Sequence, residues 1–183
     1  IGQEDGPEEI RFTTRLRELG VFENKHIPRT YLRGSVDQRW ALLRGLMDTD
    51  GYPGNDDHPS VEFSTASETL SLQFCELARS LGLKPISKKK TTTWTHLGER
   101  RFGVAWRITF PVPEGASVFT LPRKVEKGRC ASIDVGFRQI VAITPVETRP
   151  VRCIKVVAPD SLFLAGEGMV PTHNTEGLIT GWM

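Results

Sequence analysis

The sequence has little of what a disulfide-linked or membrane-spanning protein needs. Only three of its 183 residues are cysteines, Cys75, Cys130 and Cys153, and their spacing is not that of paired metal ligands. An odd number of scattered cysteines argues against a disulfide framework and predicts a reducing, cytoplasmic compartment. No apolar run approaches the roughly 18 residues that a membrane span requires. Hydrophobic residues at 38% and charged residues at 25% instead predict a globular protein.

The N-terminal residues lack both a methionine and the apolar core of a signal peptide. The chain starts with the charged stretch IGQEDGPEEI. We therefore expect the sequence to begin inside a longer chain.

Charge is unevenly distributed, although the formal net charge is only +2. The segment Lys84–Arg129 holds 11 lysines and arginines against three glutamates, a local charge of +8, so the rest of the chain carries −6. A basic block inside a near-neutral protein is typical of a chain that binds the phosphate backbone of nucleic acid. The alternative is an ordinary solvated face, because charge runs are common on protein surfaces.

Hydrophobic spacing predicts alternating helices and strands in the middle of the chain. The first helix repeats apolar residues through Trp40, Leu43 and Leu46, which share one face. Asp37 is its predicted N-cap and Gly51 ends it. The later elements, in chain order, are a strand at Val61–Thr65, a helix at Ser67–Leu81, strands near Lys84–Thr93 and Phe102–Phe110, and a short helix at Phe119–Lys127.

The character of the sequence changes after Gly128. The segments Arg138–Thr144, Val151–Val157 and Leu162–Ala165 are short and β-rich, and Pro and Gly residues separate them. They show no helical period, so we predict a second, all-β unit.

The most specific motif is MVPTHNT at residues 169–175. An apolar strand, a turn and then His-Asn followed by Cys, Ser or Thr resembles the end of an intein. The whole stretch 151–175 follows the C-terminal intein motifs in order and spacing. A lone His-Asn-Thr would carry little weight, but the surrounding pattern favours an intein over an ordinary hairpin.

The chemistry of intein splicing explains the residue types of this motif. The Asn174 side-chain amide can attack its own C-terminal carbonyl and form a succinimide, which cuts the chain after Asn174. His173 can polarise that carbonyl or pass a proton to the leaving amine. Thr175 supplies the hydroxyl nucleophile that accepts the upstream protein segment as an ester.

Cys153 stands where most inteins carry an Asp. Together with Thr172 it resembles the class in which a Trp–Cys–Thr triplet replaces the usual N-terminal nucleophile, and the Trp would lie upstream of Ile1. The resemblance implies that Cys153 attacks the upstream junction and forms the first branched intermediate. The alternative is a buried structural cysteine. Ser161 occupies the place of a His in many inteins, which leaves the proton relay open.

Residues 42–51, LLRGLMDTDG, resemble the LAGLIDADG motif of DOD-type homing endonucleases. In that family two such helices pack face to face. The resemblance implies that Gly45 lets the two backbones approach closely. It also implies that Leu43, Leu46 and Met47 fill the interface around Gly45.

The carboxylates of the motif have separate expected roles. Asp50, at the helix end, would be a catalytic residue that projects toward DNA and binds a divalent metal, Mg²⁺. Asp48 would cap or orient the helix end. The upstream run Lys25–Pro28, Lys-His-Ile-Pro, resembles the segment between the first and second motifs, so residues 42–51 would be the second.

Basic residues further along the chain extend the resemblance. Phe119–Lys124 resembles the segment that bears a catalytic lysine in this family, with Lys124 as the first choice, Arg123 as the second and a plain surface lysine as the alternative. The two long strands resemble the saddle that this family lays in the major groove of double-stranded DNA. The expected DNA-binding residues are Lys88, Lys89, Lys90, Arg100, Arg101 and Arg107.

The sequence thus predicts an α+β fold with a LAGLIDADG αββαββα endonuclease half and the C-terminal all-β segment of a Hint splicing domain. The expected divisions are a linker with the end of the first endonuclease half at 1–36, the second half at 37–127, the splicing segment at 128–174 and the host protein at 175–183. The missing N-terminal part of the same intein is an expected partner. The alternative is a degenerate or free-standing LAGLIDADG protein that binds DNA without splicing or cleavage.

The last nine residues, Thr175–Met183, lie beyond the predicted splice point. Inteins often interrupt a P-loop just after Gly-Lys, and Thr175 would then be the P-loop threonine. Thr-Glu followed by small and apolar residues is similar to the large terminase subunit of tailed phages, an ATPase, which would place the protein in a bacterial or phage-infected cell. Two glycines in this segment argue against a helix there.

Overall fold

The computed structural model of the chain describes residues 12–54, 60–127, 139–148, 150 and 154–173. Within these ranges, five helices and six strands form a mixed α+β structure with two antiparallel sheets. The helices are α1 (Phe12–Glu18), α2 (Arg29–Leu32), α3 (Val36–Asp50), α4 (Glu68–Ser80) and α5 (Pro122–Val125). The strands are β1 (Gly51–Tyr52), β2 (Val61–Thr65), β3 (Ile86–His96), β4 (Glu99–Phe110), β5 (Leu162–Ala165) and β6 (Val170–His173).

The larger sheet has four strands in the order β1-β2-β4-β3, and every neighbouring pair is antiparallel. From α3 to α5 the elements follow one another as α-β-β-α-β-β-α, the order predicted for this part of the chain. Helices α3 and α4 both contact the sheet. The strand at Val61–Thr65 is confirmed, and the second long helix begins and ends within one residue of its predicted bounds.

The N-cap of α3 is Ser35, and the prediction of Asp37 is wrong. The Ser35 hydroxyl accepts a hydrogen bond from the Gln38 backbone N–H at 3.2 Å, and the Gln38 side chain accepts one from the Ser35 N–H at 2.9 Å. This reciprocal pair satisfies two of the amide groups that a helix start leaves open. Asp37 lies inside the first turn, where the positive end of the helix dipole stabilises its negative charge.

The core lies between the helices and one face of the sheet. The Phe63 and Phe74 rings stack with their centroids 4.2 Å apart, and both side chains are fully buried. Leu43 and Met47 of α3 join them with no exposed surface. The prediction that these two residues fill an interface around Gly45 is therefore wrong. Each is two residues from Gly45, and so about 200° from it around a helix of 3.6 residues per turn.

The opposite side of α3 is uncovered among the described residues. Ala41, Gly45 and Thr49 follow one another at intervals of four and are exposed. A Cβ added to Gly45 would meet no described atom within 4 Å. Leu46, also predicted for the interface, is partly buried and packs against the core.

Strands β3 and β4 form a hairpin longer than the sequence predicted. Their turn consists of Leu97 and Gly98, with φ of 51° and 81°, as a two-residue type I′ connection requires. Strand β2 ends opposite Trp106, whereas β3 and β4 stay paired as far as the turn. The distal half of the hairpin is therefore a two-stranded ribbon.

The described residues after 127 contain one hairpin, β5–β6, with the strand at Leu162–Ala165 as predicted. The strands predicted at Arg138–Thr144 and Val151–Val157 are wrong where the structure describes them, because residues 139–144 and 154–157 form no helix or strand. A strand needs a neighbour to satisfy its backbone groups, and the described residues offer none. The helix expected at Phe119–Lys127 is confined to the four residues of α5.

In the described ranges, no helix has the length and apolar character needed to cross a membrane.

Candidate functional site

The C-terminal end of α3 brings together several of the predicted site residues. Asp50 is the last residue of the helix, and its carboxylate is exposed with no hydrogen-bond or ion-pair partner among the described residues. Asp50 lines a cavity of about 390 Å³ together with Leu46 and Leu42, which lie one and two turns earlier on the same helix face. An open carboxylate at a helix end is a hard oxygen ligand that is available to an incoming group.

Asp48 fastens the chain segment before α5 to the end of α3. Its carboxylate accepts hydrogen bonds from the backbone N–H groups of Thr120 and Leu121, at 2.9 and 3.2 Å, and from the Thr120 hydroxyl. The expectation that Asp48 orients the helix end agrees with these contacts.

The pKa of Asp48 is shifted by opposing effects. Desolvation by burial raises the pKa, but the hydrogen bonds from Thr120 and Leu121 and the positive charge of Lys124 lower it. The lowering effects prevail, so the pKa of Asp48 lies below its usual value of 3.8 and the group is ionised at neutral pH.

Lys124 reaches the same helix end from α5. Its ammonium donates hydrogen bonds to the carbonyl oxygens of Met47, Asp48 and Gly51 at 2.9, 2.8 and 2.6 Å. Asp48, on α3, thus accepts hydrogen bonds from the segment before α5, and Lys124, on α5, donates hydrogen bonds to the end of α3. We call these two sets of hydrogen bonds the reciprocal clasp. Arg123, the second choice for a catalytic cation, is exposed on the same short helix.

Gly51 allows the chain to leave α3 at this point. A Cβ at Gly51 would collide with the carbonyl oxygen and the Cα of Met47, the Cα at 2.8 Å. The glycine is required by this close approach, since its φ of −84° suits any residue. The backbone can therefore turn directly from α3 into β1, with the Gly51 carbonyl directed at Lys124.

The structure divides the six predicted DNA-binding cations between the two faces of the sheet. Side chains alternate along a strand and cross-strand partners share a face, so the register assigns each one. Ile108 and Phe110 of β4 are buried in the core on the helix side. Four cations project from the opposite, open face: Lys88, Lys90, Arg101 and Arg107. Two project from the helix side: Lys89 and Arg100.

Cation–ring contacts agree with this division. Lys89 lies over the Trp106 ring at 5.6 Å, and Trp106 is its cross-strand partner. Arg100 lies over the Phe102 ring at 5.5 Å, two residues along the same strand. Both helix-side cations are thus occupied by neighbouring aromatic rings.

Glu62 is a functional candidate that sequence reasoning missed. It lies on the open face, and its carboxylate accepts hydrogen bonds from Arg107 Nε at 2.5 Å and from the Ser64 hydroxyl at 3.0 Å. A second guanidinium nitrogen of Arg107 contacts the same oxygen. The pair fixes the orientation of Arg107 while about half of its side chain stays exposed. Only the register of β2 against β4 reveals this neighbour, since 45 residues separate the two.

The residues predicted for splicing are described only in part. Thr172 and His173 lie on β6, opposite Phe163 and Leu162 of β5, and the Thr172 hydroxyl donates to the Val170 carbonyl at 3.0 Å. His173 is exposed. The predicted residues Cys153, Asn174 and Thr175 lie outside the described residues.

Cys75 is not a reactive thiol. It is buried in α4 and belongs to the hydrophobic core. Burial raises the pKa of the Cys75 thiol, against a smaller opposing effect of Arg79, so the nucleophilic thiolate is disfavoured.

Among the described residues, no cluster of three or more His, Cys, Asp or Glu side chains could hold a metal ion. A metal ion bound by Asp50 would need its other ligands from outside the described residues. Mg²⁺ accepts such sparse protein ligation, because it keeps several waters and binds through one or two carboxylates and phosphate oxygens.

Comparison with known proteins relates the middle of the chain to a nuclease family model. Residues 26–109 match the family model described as homing endonuclease, a segment that includes Asp50 and all six cations of β3 and β4. The chain is also 40% identical over 165 residues to the replicative DNA helicase DnaB of Mycobacterium intracellulare. That alignment covers 88% of the chain and 27% of the relative, so the chain spans about a quarter of the relative's length.

The Asp48 contacts predict a pH-dependent contribution to stability. Asp48→Ala leaves the Thr120 and Leu121 amides without their acceptor and should lower the free energy of unfolding by about 1–3 kcal/mol at neutral pH, measured by urea denaturation. Because folding lowers the pKa, the contribution is complete above the usual value of 3.8 and disappears as the pH falls through the folded value. The exposed Asp37→Ala, on the same helix, is the control. Equal losses for both variants, or a loss that persists in acid, would contradict this role.

Proposed function

We propose that the chain is part of an intein whose LAGLIDADG endonuclease cleaves double-stranded DNA, because residues 26–109 match the family model described as homing endonuclease. The observation that carries this proposal is the exposed Asp50 carboxylate at the end of α3, where the chain enters β1, the edge strand of the sheet whose open face presents four cations. DNA cleavage needs both an anionic ligand for a divalent metal and cations for the phosphate backbone.

The proposed roles are metal binding at the end of α3 and DNA contact on the open face of the sheet. Asp50 would hold Mg²⁺ together with a second carboxylate from the other endonuclease half. When bound, the metal supplies charge neutralisation at the scissile phosphate and an activated water. The cations of the open face would contact phosphates and base edges in the major groove, which accommodates a two-stranded ribbon. Arg107, oriented by Glu62, has the fork geometry for a guanine.

The exposed side of α3 is where we propose that the other half packs. Ala41, Gly45 and Thr49 present small side chains, and small residues let two helix backbones approach closely. This face, rather than Leu43 and Met47, would form the contact between the two helices. The contact would place a carboxylate at the end of the partner helix near Asp50.

Protein splicing is the second proposed activity, and the β5–β6 hairpin supports it. The hairpin ends at His173, directly before Asn174 and Thr175, so the histidine lies on a hydrogen-bonded strand next to the proposed cleavage point. Asn174 would cyclise with help from His173, and Thr175 would accept the upstream segment. Cys153, with Thr172, would form the first branched intermediate. The His-Asn-Thr end argues against the alternative of a degenerate or free-standing DNA-binding protein.

The host protein is proposed from the similarity to a helicase. The relative is named a replicative DNA helicase and is much longer than the matched segment, as expected if an intein interrupts its gene. We therefore propose a helicase host in place of the predicted terminase. The role of Thr175 as a P-loop threonine remains a prediction.

Asp50→Asn tests the cleavage site in the complete intein. The substitution keeps the size of the side chain but removes the charge that would hold the metal. It should slow Mg²⁺-dependent cleavage of the uninterrupted host gene roughly 100-fold or more, because several kcal/mol of charge stabilisation is lost. Asp37→Asn, at the other end of α3, should cleave normally, and both variants should splice. Normal cleavage by Asp50→Asn would exclude the proposed site.

Neighbouring lysines on β3 test the DNA-binding face. Lys90→Gln removes a charge from the open face, so it should weaken DNA binding and reduce the slope of log K against log salt by about 1. Lys89→Gln removes the adjacent charge from the helix side and should leave that slope unchanged. Fluorescence anisotropy with a labelled duplex over a salt series measures both. Equal changes for the two variants would contradict the division of the faces.

Splicing is tested with two variants of the full precursor, followed on denaturing gels. Asn174→Ala should stop cleavage at the downstream junction, because no side-chain amide remains to cyclise. Cys153→Ala should prevent the branched intermediate, whereas Cys75→Ser, which alters a core thiol, should still form it under conditions where the variant is folded. Unchanged downstream cleavage in Asn174→Ala, or a normal branch in Cys153→Ala, would refute the corresponding role.

A further inference from the structure

The ammonium group of Lys124 has no hydrogen left for a substrate. A lysine ammonium carries three N–H donors. In the structure they are directed at three backbone carbonyls, those of Met47, Asp48 and Gly51, at 2.9, 2.8 and 2.6 Å. Contact with a phosphate or an attacking water would require at least one of these hydrogen bonds to break.

The surroundings of Lys124 also hold it against the protein. The Phe119 ring, which is buried, lies 5.6 Å from the ammonium nitrogen. The Asp48 carboxylate is attracted by the same positive charge, which contributes to its lowered pKa. The carbonyls at a helix C-terminus carry the negative end of the helix dipole, so the cation is favoured where it lies.

The three acceptors bracket Asp50 in the chain. Lys124 binds the carbonyl of residue 48 on one side of Asp50 and that of residue 51 on the other. It therefore fixes the backbone on both sides of Asp50, at the point where α3 ends and β1 begins. The Asp50 side chain has no described partner of its own, so its direction depends on that backbone.

We propose that Lys124 is a positioning residue that holds the backbone of Asp50 for metal binding, and that it does not touch the reacting phosphate. The inference rests on the proposed DNA cleavage. It replaces the catalytic role that the sequence predicted for Lys124 with an indirect one. Asp48 completes the arrangement, because it anchors to α3 the segment that leads into α5.

Lys124→Met in the complete intein distinguishes the two roles. Methionine retains much of the side-chain length but donates no hydrogen bond. A positioning role predicts a Mn²⁺ affinity of the DNA complex about tenfold weaker, read from the EPR signal of free Mn²⁺. The Mg²⁺ concentration for half-maximal cleavage should rise by a similar factor, and saturating Mg²⁺ should restore most of the rate. The exposed Lys127→Met is the matched control and should change none of these quantities.

The opposite result has a distinct signature. If Lys124 acted on the phosphate directly, Lys124→Met would leave the Mn²⁺ affinity unchanged and lower the cleavage rate at saturating Mg²⁺, and this would overturn the inference. A wild-type intein that fails to cleave the uninterrupted host gene at any Mg²⁺ concentration would overturn the proposed function itself.

A second variant decides the question if Lys124→Met unfolds, which thermal unfolding would detect. Thr120→Val removes the hydroxyl that binds Asp48 and loosens the same segment while leaving Lys124 in place. It should weaken Mn²⁺ affinity in the same direction by a smaller factor. An unchanged Mn²⁺ affinity in a folded Thr120→Val protein would count against positioning through this segment.

Discussion

The reciprocal clasp between α3 and the segment before α5 is the constraint on which the candidate site depends. Asp48 accepts from backbone amides of residues 120 and 121, and Lys124 donates to carbonyls of residues 47, 48 and 51. Each charged side chain satisfies backbone groups of the other segment, and the two charges attract one another. Charge-assisted hydrogen bonds of this kind are stronger than neutral ones. The end of α3 is thus fixed from outside the helix, and Asp50 can remain free.

Helix α3 has a buried side with large residues and an exposed side with small ones. Leu43 and Met47 are fully buried against the sheet and stabilise the unit to which they belong. Gly45, on the other side, has no described neighbour within 4 Å of an added Cβ. The helix can therefore be held firmly in its own core while its exposed side, where we propose that a partner helix packs, carries small residues.

Local signals in the sequence predicted most of the fold. The apolar spacing of α3 and α4, the strand β2 and the order of elements through residue 127 all follow from patterns within short windows. The error at the start of α3 was local, because Ser35 and Gln38, three residues apart, form the cap in place of Asp37. The other errors arose where the deciding partner is distant. The predicted strands at 139–144 and 154–157 have no described neighbour to pair with.

The candidate site, too, was predicted from the sequence only in part. Asp50 and the basic strands were visible as residue types, whereas the pairing of Glu62 with Arg107 and the division of the cations between two faces require the strand register. Lys124 was predicted as a site residue, but its three acceptors lie at the end of α3 and the start of β1, more than 70 residues earlier. Sequence patterns identified which groups carry charge, and the tertiary contacts specify which of them remain available.

The ribbon formed by the distal parts of β3 and β4 has a consequence for evolutionary change. Beyond Trp106 no third strand pairs with it among the described residues, and side chains such as Lys90 and Arg101 lie outside the hydrophobic core. Substitutions at these positions can alter the chemical surface of the ribbon without disturbing Phe63, Phe74 or the helices behind them. If the ribbon binds DNA as proposed, recognition of a new DNA sequence could thus be acquired one residue at a time, while the stability of the fold is inherited unchanged.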